Sequence, residues 1–188
     1  EAPSPLLVAQ TAPAIRATRE IRPVAVKSFG DTVYVFDFGE NMAGVCRLSV
    51  QGEKGTKITM QHGELQKANG RVEMGNIDIY YKPLPGLAFQ TDTYTLKGEG
   101  VETFTPDFTY HGFQYVEVKS DRPVKLNEES LTALFVHTAV EPVGTFSCSN
   151  ELMNKIWKAT NQSYLSNLHS IPTDCPQREK NGGKADAH

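Results

Sequence analysis

Thr32-Val33-Tyr34-Val35-Phe36-Asp37-Phe38 is nearly all β-branched or aromatic, and its reading decides the fold class. Such a run suits a strand buried on both faces, because these side chains pack well on a pleated surface. Gly39-Glu40-Asn41 follows as a turn signal. Ala43 to Gln51 then alternates, with Cys46, Leu48 and Val50 on one side and Arg47, Ser49 and Gln51 on the other. Gly52 to Gly55 reads as the next turn. Lys57 to His62 alternates again, with Ile58 and Met60 inward, and Asn69-Gly70 is a tight-turn dipeptide.

Outward from this stretch the same grammar continues. Thr91 to Leu96, Glu102 to Thr105, Tyr110 to Lys119 and Leu131 to Val140 read as further strands, and residues 73 to 90 as a long excursion between strands. Residues 1 to 28 hold Pro3, Pro5, Pro13 and Pro23 and read as an extended lead-in, with a first strand around Ile15 to Val26. Short strands spaced by Gly-rich turns, with no helical period before residue 149, predict a mainly β protein built as an antiparallel β-sandwich.

The period then changes. Ser149-Asn150 offers side-chain oxygens for the unpaired amides of a helix start. Leu152, Ile156, Ala159 or Thr160, Ser163 or Tyr164, and Leu168 recur at helical spacing, with Trp157 beside them. Pro172 is expected to close a helix of about twenty residues, since the residue before a proline avoids the α region. One helix after an all-β unit cannot cover its own apolar face. It reads as the first helix of a second, helical domain. The expected division is lead-in 1–28, sandwich 29–142 and helical segment 143–188.

Composition narrows the function. The 188 residues are 39% hydrophobic and 22% charged, which is globular, and the net charge of −3 shows no basic footprint for phosphate contacts. No nucleic-acid partner is expected. No apolar run is long enough for a membrane span, so no membrane partner is expected either. The start, Glu1-Ala2-Pro3-Ser4-Pro5, has no signal-peptide pattern and no initiator Met, and reads as that of a processed product or a fragment. Cys46, Cys148 and Cys175 are an odd set with no Cys-x-x-Cys spacing, and the five histidines are scattered, so no structural metal is expected.

The densest chemistry lies at Asp174-Cys175-Pro176-Gln177-Arg178-Glu179-Lys180-Asn181-Gly182, with Asp186 beyond. Acid–base cleavage of a glycosidic bond needs one protonated carboxyl at the leaving oxygen and a second carboxylate across the ring. Glu179 follows directly on Arg178. Asp174 and Asp186 are suited to accept hydrogen bonds from sugar hydroxyls, and Arg178 to hold a carboxylate in fixed geometry. The competing reading is a solvated charged loop. His111 with Tyr110 and Tyr115 is a second candidate, as a sugar platform, against a plainer reading as packing aromatics. Gly112 within that strand points to a bulge or a close approach. Cys175 as a nucleophile with His169 or His188 competes with Cys175 as a packed residue under the loop. Asp37, Glu40 and Asn41 are too few for a calcium cage and suit a turn better. The charges between Asp121 and Glu129 read as a solvated loop.

The stretch from Asp174 to Gly182, with Asp186 and Ala187, resembles the active-site signature of the bacterial α-L-rhamnosidases of glycoside hydrolase family 78. Tyr34 to Gly44 is similar to the Asp-Phe-Gly-x-Asn-x-x-Gly segment of the sandwich domain that precedes their catalytic barrel. Thr91 to Gly98 and Phe108 to Val116 resemble two more segments of that domain. The resemblance spans roughly residues 30 to 188.

It implies a sandwich followed by the start of an (α/α)6 barrel, in an enzyme that removes terminal α-L-rhamnose with inversion and without a cofactor. Glu179 then matches the general acid; Asp174, Arg178 and Asp186 match sugar-binding positions; the general base is a glutamate far beyond this segment. Implied partners are rhamnose-containing oligosaccharides or glycosides and the remaining domains of a parent chain, and the resemblance leans toward a periplasmic or extracellular setting. Between Gly182 and Asp186 the family has Trp-Thr-Gly, whereas this chain has Gly183-Lys184-Ala185. That removes an aromatic wall for the sugar and puts a cation near the acid, which favours its ionised form. The alternative function is a non-catalytic carbohydrate-binding or domain-docking β-sandwich module.

Overall fold

The computed structural model describes residues 8–78 and 89–183. The strands are β1 (Ile15–Ile21), β2 (Ala25–Ser28), β3 (Val33–Gln51), β4 (Lys57–Gly63), β5 (Leu65–Gln66) and β6 (Val72–Glu73), then β7 (Thr91–Thr95), β8 (Val101–Phe104), β9 (His111–Ser120) and β10 (Leu131–Thr138). A short helix α1 (Gly75–Asp78) follows β6, and the long helix α2 (Glu151–Ser166) follows β10. Two minimal strands, β11 (Leu168–His169) and β12 (Ile171–Pro172), come after α2. The protein is mainly β and antiparallel, with a helix behind it. Part of the 73–90 excursion lies outside the described residues. Within the stretch read as a lead-in, β1 pairs with β10 and β2 with β3. Among the described residues, no helix is long and apolar enough to cross a membrane.

Eight strands form one sheet in the order β1-β10-β3-β9-β4-β7, with β2 and β8 also paired to β3. Strand β3 organises it. Its first half, Tyr34 to Asp37, lies opposite β2, while Gly44 to Leu48 faces β10 and Leu48 to Gln51 faces β8. Because β3 exchanges neighbours along its length, a single sheet curls into a sandwich-like fold around one core.

Gly39-Glu40-Asn41 is not a turn between two strands; β3 runs on for 19 residues. A reversing turn would pair its halves with each other, but both halves pair with β9 instead. The residues between Asp37 and Met42 are absorbed as a register shift, with Gly39 at φ 73° and its N–H donating to Asp37 Oδ1 at 2.7 Å. This is the behaviour of a bulge, which adds residues to one strand and bends it.

The core is the inner face of this sheet. Phe36, Phe38, Met42, Leu48, Ile58, Phe113 and Leu131 are fully buried, and the Phe38 and Phe113 rings meet edge to face at 5.8 Å. Gly44 marks where β10 presses on β3: a Cβ there would lie 1.9 Å from the Leu134 carbonyl oxygen.

Helix α2 starts as expected and ends early. Asn150 Oδ1 accepts from the amides of Leu152 and Met153 at 3.0 and 3.4 Å. The helix spans 16 residues and stops at Asn167, before Pro172. The Asn167 side chain donates back to the Ser163 carbonyl, and Leu168 leaves the helix to become buried, so local competition and tertiary burial end it before the proline does. Leu152, Ile156 and Tyr164 stay exposed, at 64%, 50% and 51%.

Candidate active site

The loop from Thr173 to Gly183 is pinned at its neck. Asp174 N–H donates to the Asn181 carbonyl at 2.9 Å, and Gly183 N–H donates to the Pro172 carbonyl at 3.0 Å. The Asp174 carboxylate closes the loop from inside, with Oδ1 accepting from Cys175 N–H at 2.7 Å and Asn181 N–H at 2.9 Å. The minimal β11–β12 hairpin hands the chain from α2 to this loop, and Ser170 N–H donates to Thr138 Oγ1 at the end of β10.

The loop lies directly on the sheet. A Cβ on Gly112 would come within 2.9 Å of both Pro176 Cγ and Gln177 Cβ. The close approach read from that glycine is therefore an approach of the acidic loop, which no nearby sequence signal names. Lys180 adds a second anchor: its ammonium donates to the Tyr110 carbonyl and lies 4.4 Å from the Tyr110 ring centre. Tyr110 in turn stacks on His169 at 3.9 Å, so its ring is clamped from the hairpin side.

Three of the predicted residues come together on this loop. Glu179 Oε2 accepts from the buried Cys175 thiol at 2.9 Å, and Arg178 Nε lies 3.5 Å from the same oxygen. The thiol hydrogen bond first, then a hydrogen bond from its own backbone amide, and last the guanidinium charge hold the Glu179 carboxyl below its ordinary range. Arg178 is raised by its neighbours in turn. Asp174 and Arg178 line a cleft of about 550 Å³ between the bulge of β3, the last turns of α2 and the loop. The fourth predicted residue, Asp186, lies outside the described residues, as do Lys184 and His188.

The other candidates resolve into packing. His111 is 5% exposed and is no platform. Cys175 is buried under the loop, and its thiol is engaged with Glu179 rather than with His169. Asp37 accepts from Gly39 and Gln114, Glu40 pairs with Arg19 at 3.0 Å, and Asn41 donates to Glu64, so the calcium alternative has no free ligand set there. The cysteines are all free.

One cluster escaped the sequence reading. His62, Asp92 and His111 lie buried together beneath the loop. His111 Nε2 sits 3.0 Å from both Asp92 oxygens, and His111 Nδ1 lies 3.2 Å from Gln90 Oε1. His62 Nδ1 faces the Gln90 carbonyl, which leaves His62 Nε2 buried, 3.9 Å from Asp92 and without a hydrogen-bond partner. Burial keeps His62 neutral, with a pKa well below the ordinary imidazole value. Among the described residues, this trio and Asp174-Cys175-Glu179 are the two groups with metal-type donors close together. Both Nε2 nitrogens approach the Asp92 carboxylate, at 3.0 and 3.9 Å, and the two imidazoles stack at 4.2 Å and 24°. The sequence pointed to this region only through His111 and Gly112, because the trio comes from three strands far apart in sequence.

Two family models cover the chain. Residues 27–137 match the bacterial alpha-L-rhamnosidase concanavalin-like domain, and residues 141–188 match the bacterial alpha-L-rhamnosidase 6 hairpin glycosidase domain. Sandwich and acidic loop thus match two domains of one glycosidase family. The chain belongs to the bacterial α-L-rhamnosidase family. An alpha-L-rhamnosidase of Formosa agariphila is 36% identical over 96% of this chain and 18% of its own length. The structure of alpha-L-rhamnosidase from Dictyoglumus thermophilum is 42% identical, with a TM-score of 0.80 over 91% of this chain and 18% of that one. The Streptomyces avermitilis alpha-L-rhamnosidase, solved complexed with L-rhamnose, is 35% identical with a TM-score of 0.77, over 92% of this chain and 16% of that one. The chain therefore spans less than a fifth of the length of these relatives.

Proposed function

We propose that this chain is the acid-bearing portion of an inverting α-L-rhamnosidase. Glu179 is the proton donor, and Asp174, Arg178 and Asp186 hold the sugar. The observation that carries the reading is the shared loop: Asp174 and Arg178 line the cleft while Glu179 is held beside them by Cys175 and Arg178. In the reaction the Glu179 proton passes to the glycosidic oxygen as its bond to the anomeric carbon breaks. Water attacks the opposite face and gives its proton to a glutamate in the rest of the parent protein.

The state of Glu179 supports a further step. A general acid working near neutral pH needs a raised pKa, and here it is lowered and the side chain is exposed. Covering the loop with the rest of a helical domain and with substrate removes water and raises it. The exposed apolar side chains of α2, Leu152, Ile156 and Trp157, are where those further helices dock. The 188-residue chain alone is then silent. Incubation with an aryl α-L-rhamnoside should release no aglycone, and turnover abolished by Glu179→Gln would contradict the proposal. In the full-length protein, Glu179→Gln should lower kcat on unactivated rhamnosides by about 10²–10⁴-fold, the usual worth of a positioned proton donor.

A further inference from the structure

We propose that Lys180 is a positioning residue, seated in the sandwich domain so that the sheet itself sets where the Glu179 carboxyl stands. The inference rests on Glu179 being the proton donor. It then assigns the sandwich a part in the chemistry beyond that of a support.

The seat is built from the sheet side. The Tyr110 carbonyl accepts from the ammonium, the Tyr110 ring lies beneath it, and His169 stacks on the far face of that ring. Cations bind the faces of aromatic rings through the ring quadrupole, more strongly when water is excluded. Burial pulls the Lys180 pKa down, and the Asp92 carboxylate is the first influence working against that fall. Asp92 is itself held by His111, while His62 adds an acceptor nitrogen with no donor facing it. The seat thus carries the loop's ammonium toward the buried Asp92 carboxylate.

The backbone shows what this does to the acid. Lys180 stands at φ 54°, a left-handed conformation that costs free energy for a residue with a Cβ. It directly follows Glu179, and Asn181 then returns to Asp174 to close the loop. Seating the ammonium therefore holds the tight turn in which Glu179 faces Cys175. A misplaced proton donor loses rate steeply, since an error of about 1 Å can cost 10²-fold.

The test uses the full-length enzyme and two substrates. Lys180→Met keeps most of the stem and removes the charge and the donors. With an alkyl α-L-rhamnoside, whose leaving group needs the proton, kcat should fall about 100-fold with little change in KM. With 2,4-dinitrophenyl α-L-rhamnoside, whose leaving group departs unaided, kcat should stay near wild type. Equal losses on both substrates, or no loss on either, overturn the inference, because a merely structural role lowers both alike. Glu179→Gln on the same pair tests the underlying reading separately. If it splits the substrates and Lys180→Met does not, only the role of Lys180 falls; if it does not split them, the assignment of the acid falls. Should Lys180→Met not fold, Lys180→Gln is read in the same way.

Discussion

The centre of the sheet and helix α2 both carry large apolar side chains, yet these end in opposite states. Phe36, Phe113 and Ile58 are sealed in the core, while Leu152, Ile156 and Tyr164 of α2 are half-exposed or more. The sheet buries its own apolar face by curling. Among the described residues, the helix packs against the sheet only at its last turns, where Gln162 donates to the Asn41 carbonyl and accepts from Arg19. The difference separates the part of the chain that covers its own apolar face from the part that leaves it open.

Truncating the same kind of side chain in each region is the largest test. Phe36→Ala should cost about 3–5 kcal/mol by urea denaturation, as large-to-small core changes do. Ile156→Ala in this chain should stay within about 0.5 kcal/mol. A large cost at Ile156 would mean that α2 is already covered and would break the contrast.

Gly112→Ala probes the seam between the two regions. The added methyl meets Pro176 and Gln177, and both belong to the loop. Overpacking of this kind costs about 1–3 kcal/mol where nothing can move, and less where a loop yields. The expected result is a largely intact melt with a displaced loop, read as faster labelling of the buried Cys175 in a Cys148→Ser background. Unchanged labelling with a lowered melting temperature would place the strain in the sheet.

Asn150→Ala removes the cap of α2 and should cost about 1 kcal/mol. The loss should appear as local fraying, seen by hydrogen exchange of the first helical amides, without a shift in the sheet's unfolding.

The smallest effect concerns pH. His169 is pushed from 6.5 down to about 4, chiefly by burial and then by His137 and Lys180. The folded state thus binds its proton less readily than the unfolded state. The associated stability is present above the unfolded value of 6.5 and is lost as pH falls toward about 4. Thermal melts at pH 7 and pH 4.5 should differ, and His169→Gln should shrink the difference. The share due to this residue is on the order of 1 kcal/mol, because the residue is partly exposed and solvent screens its neighbours.

Much of this was legible in the residues. The β-branched run at Thr32 to Phe38 and the alternation after Ala43 gave the strand positions, and Asn150 gave the start of α2. The turn at Gly39 was misread because local turn chemistry also serves a bulge, and only the shared partner β9 tells the two apart. The end of α2 was misread because Pro172 is a strong local stop, while the burial of Leu168 acts earlier and is nonlocal. The loop carboxylates were legible as a motif. Their seat was not, because Asp92, His111 and His62 lie on β7, β9 and β4 and share no sequence neighbourhood.

The chain's own letters therefore determined the strand-rich character, the helix start and the identity of the acidic loop, since each depends on residues close together along the backbone. The tertiary structure decided that β3 passes unbroken through the sheet and that the loop rests on Gly112 and Tyr110. Those outcomes depend on which distant strands become neighbours, and on the charges and carbonyls they bring within reach of one another.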